Sequence, residues 1–219
     1  MAYLIRSAVA VAIFTLVLAT PTPNEASIKV VRAPLEGYKV GRGITFMGTI
    51  EEGGPEYTFH GTIEEIRAQI LKIKPDFVPS APSEEDQFNS TLAKRGDRAS
   101  MNCGHVGKGW NGDAESWLAR ERANYLKGLN GMCGVNNGGG ECSRISCAYN
   151  TGIWICNDTN GPLSKPCKYL GKQADVIINE CEYPRTDPQP AYNEPFTWLV
   201  KGQRFDTEGY NIIINGDAC

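Results

Sequence analysis

The chain has 219 residues, with 22 Lys and Arg against 25 Asp and Glu, and its formal net charge at pH 7 is −3. This length is typical of one or two domains. Because the charges nearly balance, the composition gives no basis for nucleic-acid binding or for attachment to an anionic membrane surface.

Residues 1–19 have the pattern of a secretory signal peptide. Arg6 supplies the positive charge, residues 8–18 form an apolar run, and small residues place the expected cleavage after Ala19. The run is shorter than the roughly 20 residues that a membrane-spanning helix needs, and no second apolar run follows. We therefore predict a secreted, extracellular protein without a membrane span.

Residues 20–74 are predicted to form a small ββα pro-domain that contains no cysteine. Two short strands are expected over 41–50 and 56–60, joined by a Gly-Gly-Pro turn. Thr62 and Glu65 have the spacing of a capping box, and isoleucines at helical spacing follow until a proline ends the helix. A core of this size is marginal alone, so we expect it to fold against the rest of the chain.

Residues 75–95 form an acidic linker rich in Pro and Ser that ends in Lys94-Arg95. Such a composition does not bury enough apolar surface to fold, so the dibasic pair is expected in an exposed chain that a processing protease can bind. All eight cysteines follow this pair and none precedes it. We therefore predict cleavage after Arg95, which releases a mature cysteine-rich domain over 96–219.

Two glycosylation sequons are present. Asn89 opens Asn-Ser-Thr in the linker, and Asn157 opens Asn-Asp-Thr in the mature domain. In an exported protein both asparagines are candidate glycan acceptors.

The mature domain is predicted to be α+β, a small disulfide-stabilised α/β sandwich of antiparallel strands with two helices. The first helix is expected to begin with Asp113 as its cap and to carry Trp117 on its apolar side. The second is expected over 168–181, with one apolar face that ends in a cysteine. Alternating apolar residues predict hairpins over 144–156 and 199–215.

An even number of cysteines in an exported chain predicts four disulfides. The spacing leaves the pairing open, although position favours two pairs: Cys181 at a helix end with Cys103, and Cys219 with Cys156 in the central hairpin. The spacings do not match a zinc site, so no metal and no cofactor are expected. The cysteines are Cys103, Cys133, Cys142, Cys147, Cys156, Cys167, Cys181 and Cys219.

An enzyme is an alternative that the sequence leaves open. His105 is the only histidine of the mature domain and lies in a glycine-rich arm. Paired with Glu115 or Glu180 it would supply the acid and base of a small ribonuclease, and a hydrolase that uses carboxylates alone is also compatible. A surface histidine is the simpler interpretation, so we predict no catalytic residues.

Aromatic residues suggest a third class of function, a module that binds cell-wall polysaccharide. Their side chains would suit a ligand-binding face, although packing in the disulfide core is the more ordinary explanation. The candidates are Trp110, Tyr149, Trp154, Trp198 and Tyr210.

Three segments carry a resemblance to a known group: 142–150 (CSRISCAYN), 153–158 (IWICND) and 205–214 (FDTEGYNIII). Together with the signal peptide, the acidic pro-segment and Leu-Ala-Lys-Arg, they resemble small cysteine-rich effectors of plant-associated ascomycete fungi that a kexin-type protease processes. The order of helices and strands is also similar to the α/β sandwich of smut killer toxins. The resemblance implies an effector or toxin-like protein that recognises a surface component of a plant host or competing microbe and can induce cell death. The group has no agreed catalytic residues, so it implies none here.

Overall fold

A computed structural model describes residues 32–81, 100–104, 112–135, 138–185 and 197–219. These ranges contain three helices and thirteen short strands, and the strands form three sheets. The helices are α1 (Ile63–Ile73), α2 (Ser116–Lys127) and α3 (Cys167–Cys181). The strands are β1 (Lys39–Val40), β2 (Ile44–Thr49), β3 (Glu56–Gly61), β4 (Met101–Cys103), β5 (Ala114–Glu115), β6 (Gly131–Val135), β7 (Glu141–Ala148), β8 (Thr151–Asn157), β9 (Leu163–Pro166), β10 (Glu182–Pro184), β11 (Trp198–Val200), β12 (Gly202–Asp206) and β13 (Tyr210–Gly216). This mixed architecture with four disulfides confirms the predicted disulfide-stabilised α+β class.

The largest sheet has the order β1-β7-β8-β13-β12-β4 and is antiparallel except for the β1–β7 pair. Every residue of its two central strands, β8 and β13, is buried. Side chains alternate across a strand, so Ile153 and Ile155 join the main core with α3, whereas Trp154 belongs to a smaller cluster that Leu35 and Tyr38 cover. Both faces of this sheet are therefore covered.

The second sheet has the order β3-β2-β6-β9 and joins the two parts that the sequence divided at Arg95. The predicted hairpin and helix of the first part are present, and Thr62 and Glu65 make the capping box expected at the start of α1. Residues from Val31 to Cys219 form one compact unit. A separate pro-domain over 20–74 stays a prediction.

Helix α2 departs from its prediction at the N-terminus. Ala114 and Glu115 pair with β11 as strand β5, so the helix begins at Ser116 and Asp113 is not its cap. Trp117 is 59% exposed rather than part of the core. The apolar side is formed by Leu118, Ala119, Ala123 and Leu126.

The predicted strand at 199–205 is divided between two sheets. Residues Trp198–Val200 form the middle strand of the β10-β11-β5 sheet, whereas Gly202–Asp206 pair with β13 in the large sheet. Lys201 lies buried at the break. A side chain at position 202 would meet Ile177 at 2.6 Å, so glycine is needed where the chain changes sheet beneath α3.

The disulfides are Cys103–Cys181, Cys133–Cys167, Cys142–Cys156 and Cys147–Cys219. The first is the pair that the helix-end position favoured. The Cys156–Cys219 pair is wrong, because the β7–β8 register sets Cys142 directly opposite Cys156. Strand β13 runs past that position to Gly216, opposite Thr151, and so brings Cys219 to Cys147 instead.

Candidate functional site

The processing and enzymatic candidates are only partly within the described residues. Lys94, Arg95, Asn89, His105 and the signal peptide lie outside them. No helix of the described ranges is both long and apolar enough to span a membrane. Over the same residues, the acidic, histidine and cysteine side chains make no cluster of three or more suited to a metal ion.

The side chain of Asn157 belongs to a buried turn in this fold. Its side chain is fully buried, Nδ2 donates a hydrogen bond to the Gly161 carbonyl at 2.8 Å, and Oδ1 accepts from the Thr159 hydroxyl at 2.7 Å. The sequon is instead a turn in which the asparagine bonds to its own backbone neighbours. Glycosylation at Asn157 stays a prediction, and a glycan there would require the buried side chain to leave this turn.

The two carboxylates considered as partners of a catalytic histidine have other surroundings. Glu115 forms an ion pair with Arg185 across the small sheet. Glu180 lies on the exposed last turn of α3. Neither position forms an enclosed acid–base site within the described residues.

The predicted aromatic face does not assemble. Trp154 is fully buried with the Arg144 guanidinium 5.0 Å from its ring centre, and Tyr210 is buried with its hydroxyl donating to Asp206. Tyr149 is 80% exposed on the β7–β8 turn. Trp198 alone among the described candidates lies in a concave surface.

The aromatic groove is a concave surface of about 580 Å³ between α2 and the β10-β11-β5 sheet. Trp117 and Trp198 line it and remain 59% and 47% exposed, although large apolar side chains are ordinarily buried. Its volume is in the range of small-ligand sites. The other lining residues are Ser116, Arg120, Glu121, Asn124, Glu182 and Thr197.

Backbone pairing brings the two tryptophans into one groove. Strand β11 pairs with β5, and β5 leads directly into α2. Because Leu199 is opposite Glu115, Trp198 comes beside the first turn of the helix, where Trp117 projects. Trp117, Glu121 and Asn124 are four and then three residues apart, so they share one face of α2.

Polar side chains inside the groove are fixed by hydrogen bonds. Ser116 Oγ donates to Glu182 Oε2 at 2.7 Å, and Arg120 Nη2 donates to the same oxygen at 3.2 Å. Arg120 Nη1 donates to Asn179 Oδ1 at 2.9 Å. Arg120 and Glu182 are paired with each other, so they offer oriented donors and acceptors, while Glu121 lies 3.5 Å from Arg122 Nη1.

A second concave surface, of about 430 Å³, lies where the N-terminal strands meet the end of α2. Lys127 lines it, but its ammonium is buried in an ion pair with Asp175. Leu129 closes the floor, and Phe77 packs against the core at its rim. This surface lacks the paired exposed aromatics of the groove, so it is the weaker candidate.

Sequence reasoning missed Trp117 because it assigned the residue to the apolar side of α2. The signal was present: Trp117 lies on the face of Glu121 and Asn124, opposite Ala119 and Ala123. A tryptophan on the polar face of an amphipathic helix lies outside the buried stripe, and together with the exposed Trp198 it points to a binding surface.

No protein-family model, curated protein or solved structure matches the chain.

Proposed function

We propose that this chain is a secreted effector or toxin-like protein, matured by cleavage after Arg95, that acts extracellularly on a plant host or a competing microbe. We further propose that it recognises its target by binding a carbohydrate chain in the aromatic groove. One observation supports the secreted class: all eight cysteines form disulfides. Stable disulfides are typical of oxidising compartments.

The observation that carries the binding proposal is the exposure of two indole rings in one groove. Trp117 and Trp198 each leave about half of their surface in water, on elements that the small sheet holds in place. Exposed aromatic clusters of this kind mark interaction sites. Tryptophan also dominates the energetics of binding surfaces because it offers a large rigid area at low entropic cost.

A carbohydrate matches the groove for chemical reasons. Sugar rings have apolar C–H faces that can pack on indole rings, and their hydroxyls both donate and accept hydrogen bonds. Arg120 and Glu182 present both kinds of group, already oriented by Ser116 and by each other. Their mutual neutralisation suits an uncharged glycan such as chitin or β-glucan.

The test is retention of the purified secreted protein on insoluble chitin and β-glucan. We expect Trp117→Ala and Trp198→Ala each to weaken retention about tenfold or more, as truncation of a central aromatic contact usually does. Tyr149→Ala, which removes an exposed aromatic outside the groove, is the matched control and should bind normally. Failure of the wild-type protein to bind either polysaccharide, or equal binding by all variants, would contradict the proposal.

The biological step is tested by leaf infiltration and by growth assays on competing microbes. The tryptophan variants should lose cell-death or inhibitory activity together with binding. His105→Ala separates the enzyme alternative, because it should abolish a ribonuclease but leave carbohydrate binding and toxicity unchanged. Loss of activity in that variant would favour the enzyme.

A further inference from the structure

We propose that residues 32–81, here called the N-terminal segment, stay bound after cleavage, so that the mature protein is a non-covalent complex of two chains. The inference rests on the proposed cleavage after Arg95. It assigns the segment the role of a structural partner of the cysteine-rich domain.

The N-terminal segment supplies an interior strand of a sheet. Strand β2 lies between β3 and β6, and its residues 45–48 pair with 131–134 of the cysteine-rich domain. Asn130 extends this ladder, since its carbonyl accepts from the Thr49 amide at 3.1 Å and its Nδ2 donates to Thr49 Oγ1 at 2.9 Å. Loss of the segment would leave β6 as an open edge, which proteins ordinarily avoid.

A second pairing ties the segment to the large sheet. Strand β1 runs parallel to β7, and the Lys39 and Gly41 amides donate to the carbonyls of Gly140 and Cys142, both at 2.8 Å. The segment thus adds strands to two different sheets of the other chain. Strand addition of this kind supports stable peptide complexes, because every added strand contributes a series of main-chain hydrogen bonds.

The apolar core is shared between the two parts. The side chains of the segment that enter it are almost fully buried, and they belong to the same cluster as Cys133, Val135 and Ile145. Separation would expose both sides of this contact to water, which opposes dissociation. The contributing residues of the segment are Ile44, Phe46, Ile50, Phe59, Ile63, Ile66 and Ile70.

Glu64 adds a directional polar contact at the start of α1. Its Oε1 accepts from Ser146 Oγ at 2.6 Å and lies 3.4 Å from Arg122 Nε, while Oε2 accepts from the Cys147 amide at 3.3 Å. These partners come from α2 and β7 of the other part. Separation would remove the carboxylate from all three, and charge-assisted bonds of this kind are the stronger ones.

Cleavage itself does not disturb these contacts. Ala81 and Ser100, the described residues on either side of the linker, are both exposed, so a cut in the linker leaves the strands in place. The first 102 residues contain no cysteine, so no disulfide joins the two chains. The aromatic groove is lined only by residues after Arg95, so its opening does not require the segment to leave.

The experiment uses the full chain with an engineered cut, so that it does not depend on natural processing. Lys94 and Arg95 are replaced by alanine, residues 86–92 are replaced by the recognition sequence of a site-specific viral protease, and the folded protein is cut. We expect two chains by mass spectrometry under denaturing, non-reducing conditions. Gel filtration and native mass spectrometry should show a single particle that contains both. Separation of the chains under native conditions overturns the proposal, whether the larger chain then stays soluble or precipitates.

A variant pair tests whether the described contacts hold the complex. In the cut protein, Glu64→Ala should raise the dissociation rate of the segment about tenfold, as loss of a charged hydrogen-bonding partner predicts. Glu56→Ala, at an exposed position on the same segment, is the matched control and should leave the rate unchanged. Equal rates in the two variants would contradict the assigned interface.

The engineered cut distinguishes failure of this proposal from failure of the proposed processing. If the naturally secreted protein is a single chain that begins near Thr20, the processing proposal fails, whereas the engineered cut still decides whether the segment stays bound. Binding to chitin or β-glucan is measured on the cut complex and on the uncut chain. It should be the same in both, since the segment does not line the groove.

Discussion

At the scale of the residue, two tyrosine hydroxyls converge on Asp206 beside the β12–β13 hairpin. Tyr169 donates to Asp206 Oδ2 at 2.9 Å and Tyr210 donates to the same oxygen at 3.0 Å. Burial raises the pKa of the Tyr210 hydroxyl above its usual value near 10, and Asp206 and Tyr169 raise it further. The neutral phenol is the form that this cluster stabilises, because a phenolate would face the carboxylate.

This cluster predicts a loss of stability in alkaline solution. Because the pKa is raised in the folded state, Tyr210 contributes fully to the free energy of unfolding below about pH 10, which is its pKa in the unfolded chain. The contribution declines as the pH rises from there toward the pKa of the folded state. Tyr125 acts in the same direction, since burial raises its pKa to about 12. In urea titrations between pH 8 and 11, Tyr210→Phe should show a smaller decline in the free energy of unfolding than the wild type. Tyr149→Phe, on an exposed turn, should behave as wild type, and identical slopes for all three proteins would contradict the assignment.

At the scale of the element, β2 and β6 approach each other through two glycines. Gly48 and Gly131 are directly paired. A Cβ at position 131 would meet the Met47 carbonyl oxygen and lie 2.8 Å from the Gly48 Cα. Both neighbours are backbone, so the contact is not relieved by a side-chain rotation. The close approach of these two paired strands therefore depends on glycines from both sides of the predicted cleavage site.

Gly131→Ala is expected to destabilise the folded chain by about 2 kcal/mol, as overpacking of a tight site does. The control is Gly161→Ala, because a Cβ there meets no heavy atom within 4 Å. That variant should stay within about 0.5 kcal/mol of the wild type. Chemical denaturation measures the free energy of unfolding of both variants. Equal stability of the two would show that the close approach of Gly48 and Gly131 is unimportant.

At the scale of the whole molecule, the disulfides tie distant parts of the cysteine-rich domain together. Cys103–Cys181 and Cys147–Cys219 close loops of 78 and 72 residues and fix the N-terminal arm and the C-terminal tail. Closures of this kind typically contribute about 2–4 kcal/mol each. The N-terminal segment has no such link, so its attachment depends on strand pairing, core burial and the polar contacts of Glu64.

Mass spectrometry of the secreted protein tests the maturation by intact mass and the disulfide pairing by peptide mapping. We expect a species that begins at Gly96 and gains about eight mass units on reduction, from four disulfides. Replacement of Lys94 and Arg95 by alanine should give secreted but unprocessed protein. Non-reduced peptide mapping should recover Cys142 linked to Cys156. A product of normal mature size from the alanine variant would contradict the cleavage, and a Cys156–Cys219 peptide would contradict the structure.

The features that sequence alone determined are those with local causes. The capping box of Thr62 and Glu65 and the apolar stripe of α3 are set by residues within a few turns of one another, and both occur as predicted. The two hairpins of the cysteine-rich domain follow from alternation and turn residues, with the first strand of the second hairpin beginning later than expected. These patterns are readable because the interacting groups are close in the chain.

Only the tertiary structure decided what depends on distant partners. The strand register selected Cys142 for Cys156, the β5–β11 pairing replaced the Asp113 cap, and the change of sheet at Lys201 divided a predicted strand. The aromatic groove depends on the same kind of pairing, since Trp117 and Trp198 line one groove because β11 pairs with β5 at the start of α2. The sequence alone determined the cysteine-rich character of this protein and predicted its secretion. The surface proposed to bind its target depends on pairing between strands that are distant in the chain, and the spacing of residues in the sequence does not predict which strands pair.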